Sequence, residues 1–254
     1  MPISRGCTPT DEEPSPICTF GVSASKARGH VALIGDSHAL HWRGPVGVVA
    51  RAMGWRGYSI SAPACPFSAA VQRLPVGLRE DCVPWYRAVR AWFADHPEVS
   101  TVFVSQKART PVVAPPGRSA QSVKIAGFQR AWRALPRTVK QIVVIRDVPV
   151  PARDMFECIE RVVAAGTERP GVACATQRSQ ALRWDAAVSA ANGLRSKRYR
   201  HVDMSNYFCS PRRCFPVIGG VQVHSDTLGH VTSSYGWTLG PYLLRKVRAL
   251  RLSS

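Results

Sequence analysis

The stretch Val31-Ala32-Leu33-Ile34-Gly35-Asp36-Ser37-His38 constrains this chain more than any other. An apolar run without polar interruption, bounded by Gly, is the pattern of a parallel strand buried on both faces. Ala39 to Met53 follows with Val46, Val49, Ala50 and Met53 on a helical period, so a helix is expected behind the strand. Ser37 then stands at a strand's carboxyl end and a helix's amino end. N–H groups converge there and the helix dipole favours negative charge, so an oxyanion formed by attack on an ester carbonyl would be stabilised. Gly, Asp and Ser are also ordinary turn and N-cap residues, and the motif alone assigns no reaction.

A second stretch, Ser225-Asp226-Thr227-Leu228-Gly229-His230-Val231-Thr232, supplies what a serine nucleophile lacks. A hydroxyl attacks poorly until a neighbouring imidazole takes its proton, and the imidazole needs a carboxylate to fix its tautomer. Asp226 and His230 lie on one loop before an expected closing helix, Ser233 to Arg248, with Thr232 as its N-cap.

The Gly-Asp-Ser turn followed late in the chain by Asp and His before the last helix resembles the SGNH hydrolases, whose spacing is Asp-x-x-His; here it is Asp-x-x-x-His. The closer resemblance is to SGNH domains fused to acyltransferase-3 membrane proteins, the O-acetyltransferases of bacterial surface glycans. It rests on Gly35 to His38, Cys65-Pro66 with Cys82-x-x-Trp85, Asp147-Val148-Pro149, Cys209 and Cys214 before Gly219-Gly220, and His230-Val231-Thr232 with Leu239-Gly240-Pro241. The likeness runs from about Val31 to Leu244.

What the resemblance implies is a three-layer α/β/α sandwich with a mainly parallel, doubly wound, flavodoxin-like sheet. It implies a triad of Ser37, His230 and Asp226, an acyl donor and a glycan acceptor, and a membrane acyltransferase-3 domain or partner at the extracytoplasmic face of a bacterial cell membrane. The oxyanion site would use the Ser37 N–H and a second donor from the Ala64 region, Ser105 or Gln106. His38 would contact the acyl group or stand behind the nucleophile. Two blocks of the lipolytic members are missing: Ser61-Ala62-Pro63-Ala64 has no glycine, and Ser105-Gln106-Lys107 replaces Gly-x-Asn-Asp.

An alternating strand and helix rhythm over 254 residues suits one α/β domain. Residues 30–254 read as the catalytic domain. Residues 1–29, with Pro, Ser and Asp-Glu-Glu, read as a linker-like segment outside the core; Met1 to Lys26 resembles the connection to a membrane acyltransferase. Neither a signal peptide nor a membrane helix is visible, since no 18-residue apolar span occurs and Met1 to Thr19 lacks a basic start before an apolar run. The 8 cysteines form neighbouring pairs, Cys7/Cys18, Cys65/Cys82, Cys158/Cys174 and Cys209/Cys214, which suggests an oxidising compartment. Zinc spacing of the Cys-x-x-Cys kind is absent, so no metal and no cofactor is expected. The net charge of +18 would suit nucleic acid, but the arginines are spread from Arg5 to Arg251 without a reading element. An anionic surface polymer or membrane face suits a diffuse charge better.

Further elements are expected in order. Strands are Gly57–Ala62, Thr101–Val104, Gln141–Ile145 and Tyr199–Met204; helices are Val83–Asp95, Val123–Leu135 and a long one at Gln177–Leu194. Trp42, Trp85, Trp92, Phe128 and Trp132 read as core. Cys65 to Cys82 would staple a surface lid, and the loop with Ser105, Gln106, Lys107 and Arg109 would border the pocket. Asp147 would orient substrate or order a turn, and Asp203 would cap. His41 shares a helical face with His38, while His30, His96, His201 and His224 read as surface or packing residues. Three functions remain open: an O-acyltransferase, an esterase using the same triad, and a glycan-binding or partner domain whose triad is broken by the longer spacing.

Overall fold

The computed structural model describes residues 8–14, 17–75, 77–166 and 168–252. Its strands are β1 (Thr8–Pro9), β2 (Ile17–Gly21), β3 (Gly29–Gly35), β4 (Trp55–Ser61), β5 (Val99–Ser105), β6 (Gln141–Ile145), β7 (Thr176–Gln177), β8 (Tyr199–Val202), β9 (Arg213–Cys214), β10 (Val217–Ile218) and β11 (Val221–Gln222). Its α-helices are α1 (Ser37–Leu40), α2 (Arg43–Met53), α3 (Leu78–Asp95), α4 (Ala120–Arg133), α5 (Met155–Ala165), α6 (Pro170–Ala173), α7 (Arg178–Ala181), α8 (Ala186–Gly193), α9 (Ser233–Thr238) and α10 (Gly240–Ala249).

A seven-stranded sheet in the order β1-β2-β4-β3-β5-β6-β8 organises the described residues. Strand β3 is central and runs parallel to β4 on one side and β5 on the other. Its continuous apolar run follows from that position, because side chains alternate between two covered faces. Ala32 and Ile34 pack on one side with Trp85 and Val89 of α3, Trp132 of α4 and Ala187 of α8. Val31 and Leu33 pack on the other with Trp42, which caps α2, Val46 and Val49 of α2, and Leu243 and Val247 of α10. The result is a three-layer α/β/α sandwich with a mainly parallel sheet. The chain leaves β3 for β4 on one side and reaches β5 on the other, so the end of β3 is the switch point where such sheets open a crevice.

The sequence expectations need five corrections. The stretch expected as a linker outside the core contributes β2, antiparallel to β4, with Ile17 and Phe20 buried. Ile17, Cys18 and Phe20 are apolar and buried, and β2 covers a β4 edge whose backbone groups would otherwise be unpaired. The expected helix Ala39–Met53 breaks at His41-Trp42, and the expected Ser233–Arg248 helix breaks at Leu239. Pro45 and Pro241 lie just beyond these breaks and have no N–H to continue the ladder. The helix expected at Gln177–Leu194 is two pieces, because Asp185 starts α8 afresh by accepting from the Ala187 and Val188 N–H groups.

The segment from Cys65 to Cys82, expected as a stapled surface lid, packs inward at its start, with Cys65 and Phe67 buried against α3. Disulfides join Cys65–Cys82, Cys158–Cys174 and Cys209–Cys214. The expected Cys7/Cys18 pair involves Cys7, which lies outside the described residues. Among the described residues no helix is long and apolar enough to cross a membrane.

Candidate active site

Ser37 is brought to the switch point by two local devices. Gly35 holds φ at +151°, and a Cβ there would stand 1.7 Å from the Ser105 carbonyl oxygen, so only glycine lets β3 pass β5 this closely. Asp36 then caps α1, accepting from the His38 N–H at 2.8 Å and from the Lys107 N–H at 2.9 Å. One buried carboxylate thus ties the turn after β3 to the turn after β5. Burial pushes its carboxyl above the ordinary value.

The partner loop is wound around Asp226. Its Oδ1 accepts from the Leu228, Gly229 and His230 N–H groups at 2.9, 3.1 and 3.1 Å, while Oδ2 meets His230 Nδ1 at 2.5 Å. Gly229, at φ +103°, supplies the reversal that folds the longer Asp-x-x-x-His spacing back on itself. The loop is fastened at its base. Ser225 N–H donates to the His230 carbonyl, Thr232 N–H to the Val223 carbonyl, and the Thr232 hydroxyl accepts from Tyr235 N–H to cap α9. Burial works against the Asp226 carboxylate, but the His230 hydrogen bonds hold its pKa below the ordinary value.

His230 Nε2 lies 2.8 Å from Ser37 Oγ. Alcohol, imidazole and carboxylate therefore stand in line, with one ring nitrogen on the acid and the other on the hydroxyl. If Nδ1 carries the proton towards Asp226, Nε2 presents its lone pair to the Ser37 hydroxyl, the arrangement that lets a serine act as nucleophile. Ser37 and His230 open on a cleft of about 590 Å³, lined also by Ala64, Lys107, Arg109 and Leu228, with Asp226 behind the ring. Ala64 holds φ at +58°, a backbone shape usual for glycine, in the stretch Ser61–Ala64 that carries no glycine. Neither the Ser37 nor the Ala64 N–H donates within the protein among the described residues.

Behind the serine lies a second imidazole–carboxylate pair that sequence reasoning missed. His38 Nδ1 meets Asp147 Oδ1 at 2.7 Å, with the side chains 1% and 6% exposed. Asp147 also accepts from the Ala108 and Val148 N–H groups at 2.8 and 2.9 Å, and its own N–H donates to Asp185 at 2.9 Å. Burial pulls His38 down, but Asp147 outweighs it and holds the ring above its ordinary pKa. The His38 ring centroid is 5.0 Å from that of His230 and 5.3 Å from that of His41. Burial drives His41 well below its usual value and His224 down to about 4, and it pushes Asp185 up to about 6. Asp147 and His38 are 109 positions apart, so no periodicity could have signalled the pair.

Three expected binding residues do not reach the cleft. His38 is turned to Asp147 and does not line it; Ser105 and Gln106 are 0% and 1% exposed and do not line it either. Gln106 instead borders a small cavity with Lys124 and Asp185 on the α4 side of the sheet. Ser105 is the last residue of a strand covered on both faces, Gln106 turns towards Lys124 and Asp185, and the N–H of the next residue, Lys107, is taken by Asp36. Lys107 and Arg109 do border the cleft. Asp203 caps as expected, accepting from Ser205 N–H at 2.8 Å and pairing with Arg146 at 3.2 Å.

A doubly wound sheet with serine, imidazole and acid at its switch point defines an SGNH-type acyltransferase or esterase. The family model described as "SGNH domain (fused to AT3 domains)" matches residues 6–245, and the chain belongs to that family. Among solved structures it resembles the periplasmic domain of the lipopolysaccharide acetyltransferase of Salmonella ser. Paratyphi A, with a TM-score of 0.61, 12% identity and 90% of each chain covered. A search of curated proteins finds no match.

Proposed function

We infer that the domain transfers an acetyl group to a cell-surface glycan through an acyl-Ser37 intermediate. Ser37 Oγ attacks the carbonyl of an ester or thioester donor while His230 Nε2 takes its proton; that proton leaves with the donor's alcohol or thiol. A glycan hydroxyl then attacks the acyl-serine, gives its proton to His230, and Ser37 Oγ recovers a proton from the ring as the bond breaks. Asp226 orients the ring and offsets its charge. The Ser37 and Ala64 N–H groups receive the oxyanion, each within the cleft lining. The observation that carries this reading is the unbroken line from Asp226 Oδ2 through His230 to Ser37 Oγ at 2.5 and 2.8 Å.

Fusion of the family's domains to AT3 domains supports a membrane acyltransferase-3 domain or partner as the source of the acyl group. The disulfides and the periplasmic setting of the structural neighbour support work at the extracytoplasmic face of a bacterial membrane. The test is incubation of the oxidised protein with p-nitrophenyl acetate, with and without an oligosaccharide, followed by mass spectrometry. Acetyl on the Ser37 peptide and then on the sugar is expected. Acetyl only on water would make the domain an esterase, and turnover that survives Ser37→Ala would overturn the triad.

A further inference from the structure

Beside the triad cleft lies a second groove of about 700 Å³, lined by Arg109, Arg153, Arg183, Thr176, Gln180 and Thr227 among others. Both openings fall in the range of small-ligand sites. Arg109 and Leu228 belong to the lining of both, so the groove is a continuation of the cleft around the catalytic loop. Thr227, next to Asp226 in that loop, lines the second groove.

The charge of this groove is one-sided. Three guanidiniums line it and no carboxylate does. Arg109, Arg153 and Arg183 are exposed, and none of their side chains has an ion-pair or hydrogen-bond partner among the described residues. Arg146 is different, since Asp203 already holds it. Guanidinium groups with free donors match carboxylate or phosphate oxygens in pairs, and Thr176, Gln180 and Thr227 offer neutral groups suited to sugar hydroxyls. No aromatic ring lines the groove, so it lacks the stacking platform that a single-stranded nucleic acid would use.

We propose that this groove is an acceptor subsite for an anionic saccharide, one that carries carboxylate or phosphate groups on units next to the hydroxyl held at Ser37. The proposal rests on the acyl-transfer reading, and it converts a diffuse net charge of +18 into a local recognition element. A neutral sugar at the triad would continue past Leu228 and Arg109, where its charged neighbour meets Arg153 and Arg183.

The test is calorimetric titration of the parent chain without acyl donor, so that binding is read apart from turnover. The probes are an oligogalacturonate, a phosphorylated malto-oligosaccharide and the neutral malto-oligosaccharide. At least one anionic probe is expected to bind about tenfold or more tightly than the neutral one, and which of the two does so assigns carboxylate or phosphate. Arg153→Ala with Arg183→Ala should bring that preference to within about twofold. Arg87→Ala with Arg133→Ala, exposed positions on α3 and α4 that line neither opening, should leave it intact. Equal binding of all three probes, or equal loss in both double variants, would overturn the subsite. Failure of the triad is read separately, as absence of acetyl on Ser37.

Discussion

The molecule holds two imidazole–carboxylate pairs with similar contacts and different fates. His230 and Asp226 meet at 2.5 Å on a rim loop, with side chains 21% and 38% exposed; His38 and Asp147 meet at 2.7 Å with side chains 1% and 6% exposed. Only His230 has its second ring nitrogen on an alcohol, whereas His38 Nε2 has no hydrogen-bond partner among the described residues. The difference teaches that the pair itself does not make a base. On the proposed mechanism access to a nucleophile and to substrate does, and a buried copy of the same pair is better suited to holding backbone turns in register.

The strongest way to sharpen this contrast is Ser37→Ala, which should lower acetyl-ester turnover by at least about 10⁴-fold with no acyl-protein in the mass spectrum. Next comes Asp226→Asn, which keeps the shape but removes the charge that orients His230. A loss of about 10³–10⁴-fold is expected, and a loss below about tenfold would deny the rim pair its role. Asp147→Asn should act through the other property. Leaving His38 in a buried site without its anion should cost about 3 kcal/mol or more in thermal or urea unfolding, while turnover per folded molecule falls far less than in Asp226→Asn. If the turnover losses were equal, the two pairs would be acting as one relay.

The smallest effect concerns acid. His224 has a folded pKa of about 4 against an ordinary 6.5, so between these values the unfolded chain binds more protons. Stability from its neutral burial is full above about pH 6.5 and falls by on the order of 3 kcal/mol as pH drops to 4. Asp185 has the opposite sign, because its folded pKa of about 6 exceeds the ordinary 3.8 and favours folding as pH falls below 6. The difference between parent and His224→Gln unfolding curves isolates the histidine. An unchanged acid slope would show that His224 is not neutral in the folded protein.

Much of the architecture was legible before any coordinates. The Val31–Ile34 run announces a central parallel strand because both faces of such a strand are covered, and the Gly-Asp-Ser turn marks its functional end. Thr232 as a cap and Trp42 and Trp132 as core residues follow from the same local rules. The errors were also local. The helices expected at Ala39–Met53 and Ser233–Arg248 run through breaks that Pro45 and Pro241 signal, and the polar composition of the 1–29 segment hides the short apolar stretch Ile17 to Phe20, which is buried on both faces.

By itself the sequence determined that Ser37 follows a buried strand in a glycine turn and that Asp226 and His230 share one late loop, because each is written within a few neighbouring residues. Only the tertiary structure decided that Ser37 and His230 meet across 193 positions, that Ala64 rather than Ser105 or Gln106 borders the cleft, and that His38 belongs to Asp147. Those contacts depend on which strand ends lie side by side and which way each side chain faces, and pairing across a sheet leaves no periodic mark along the chain.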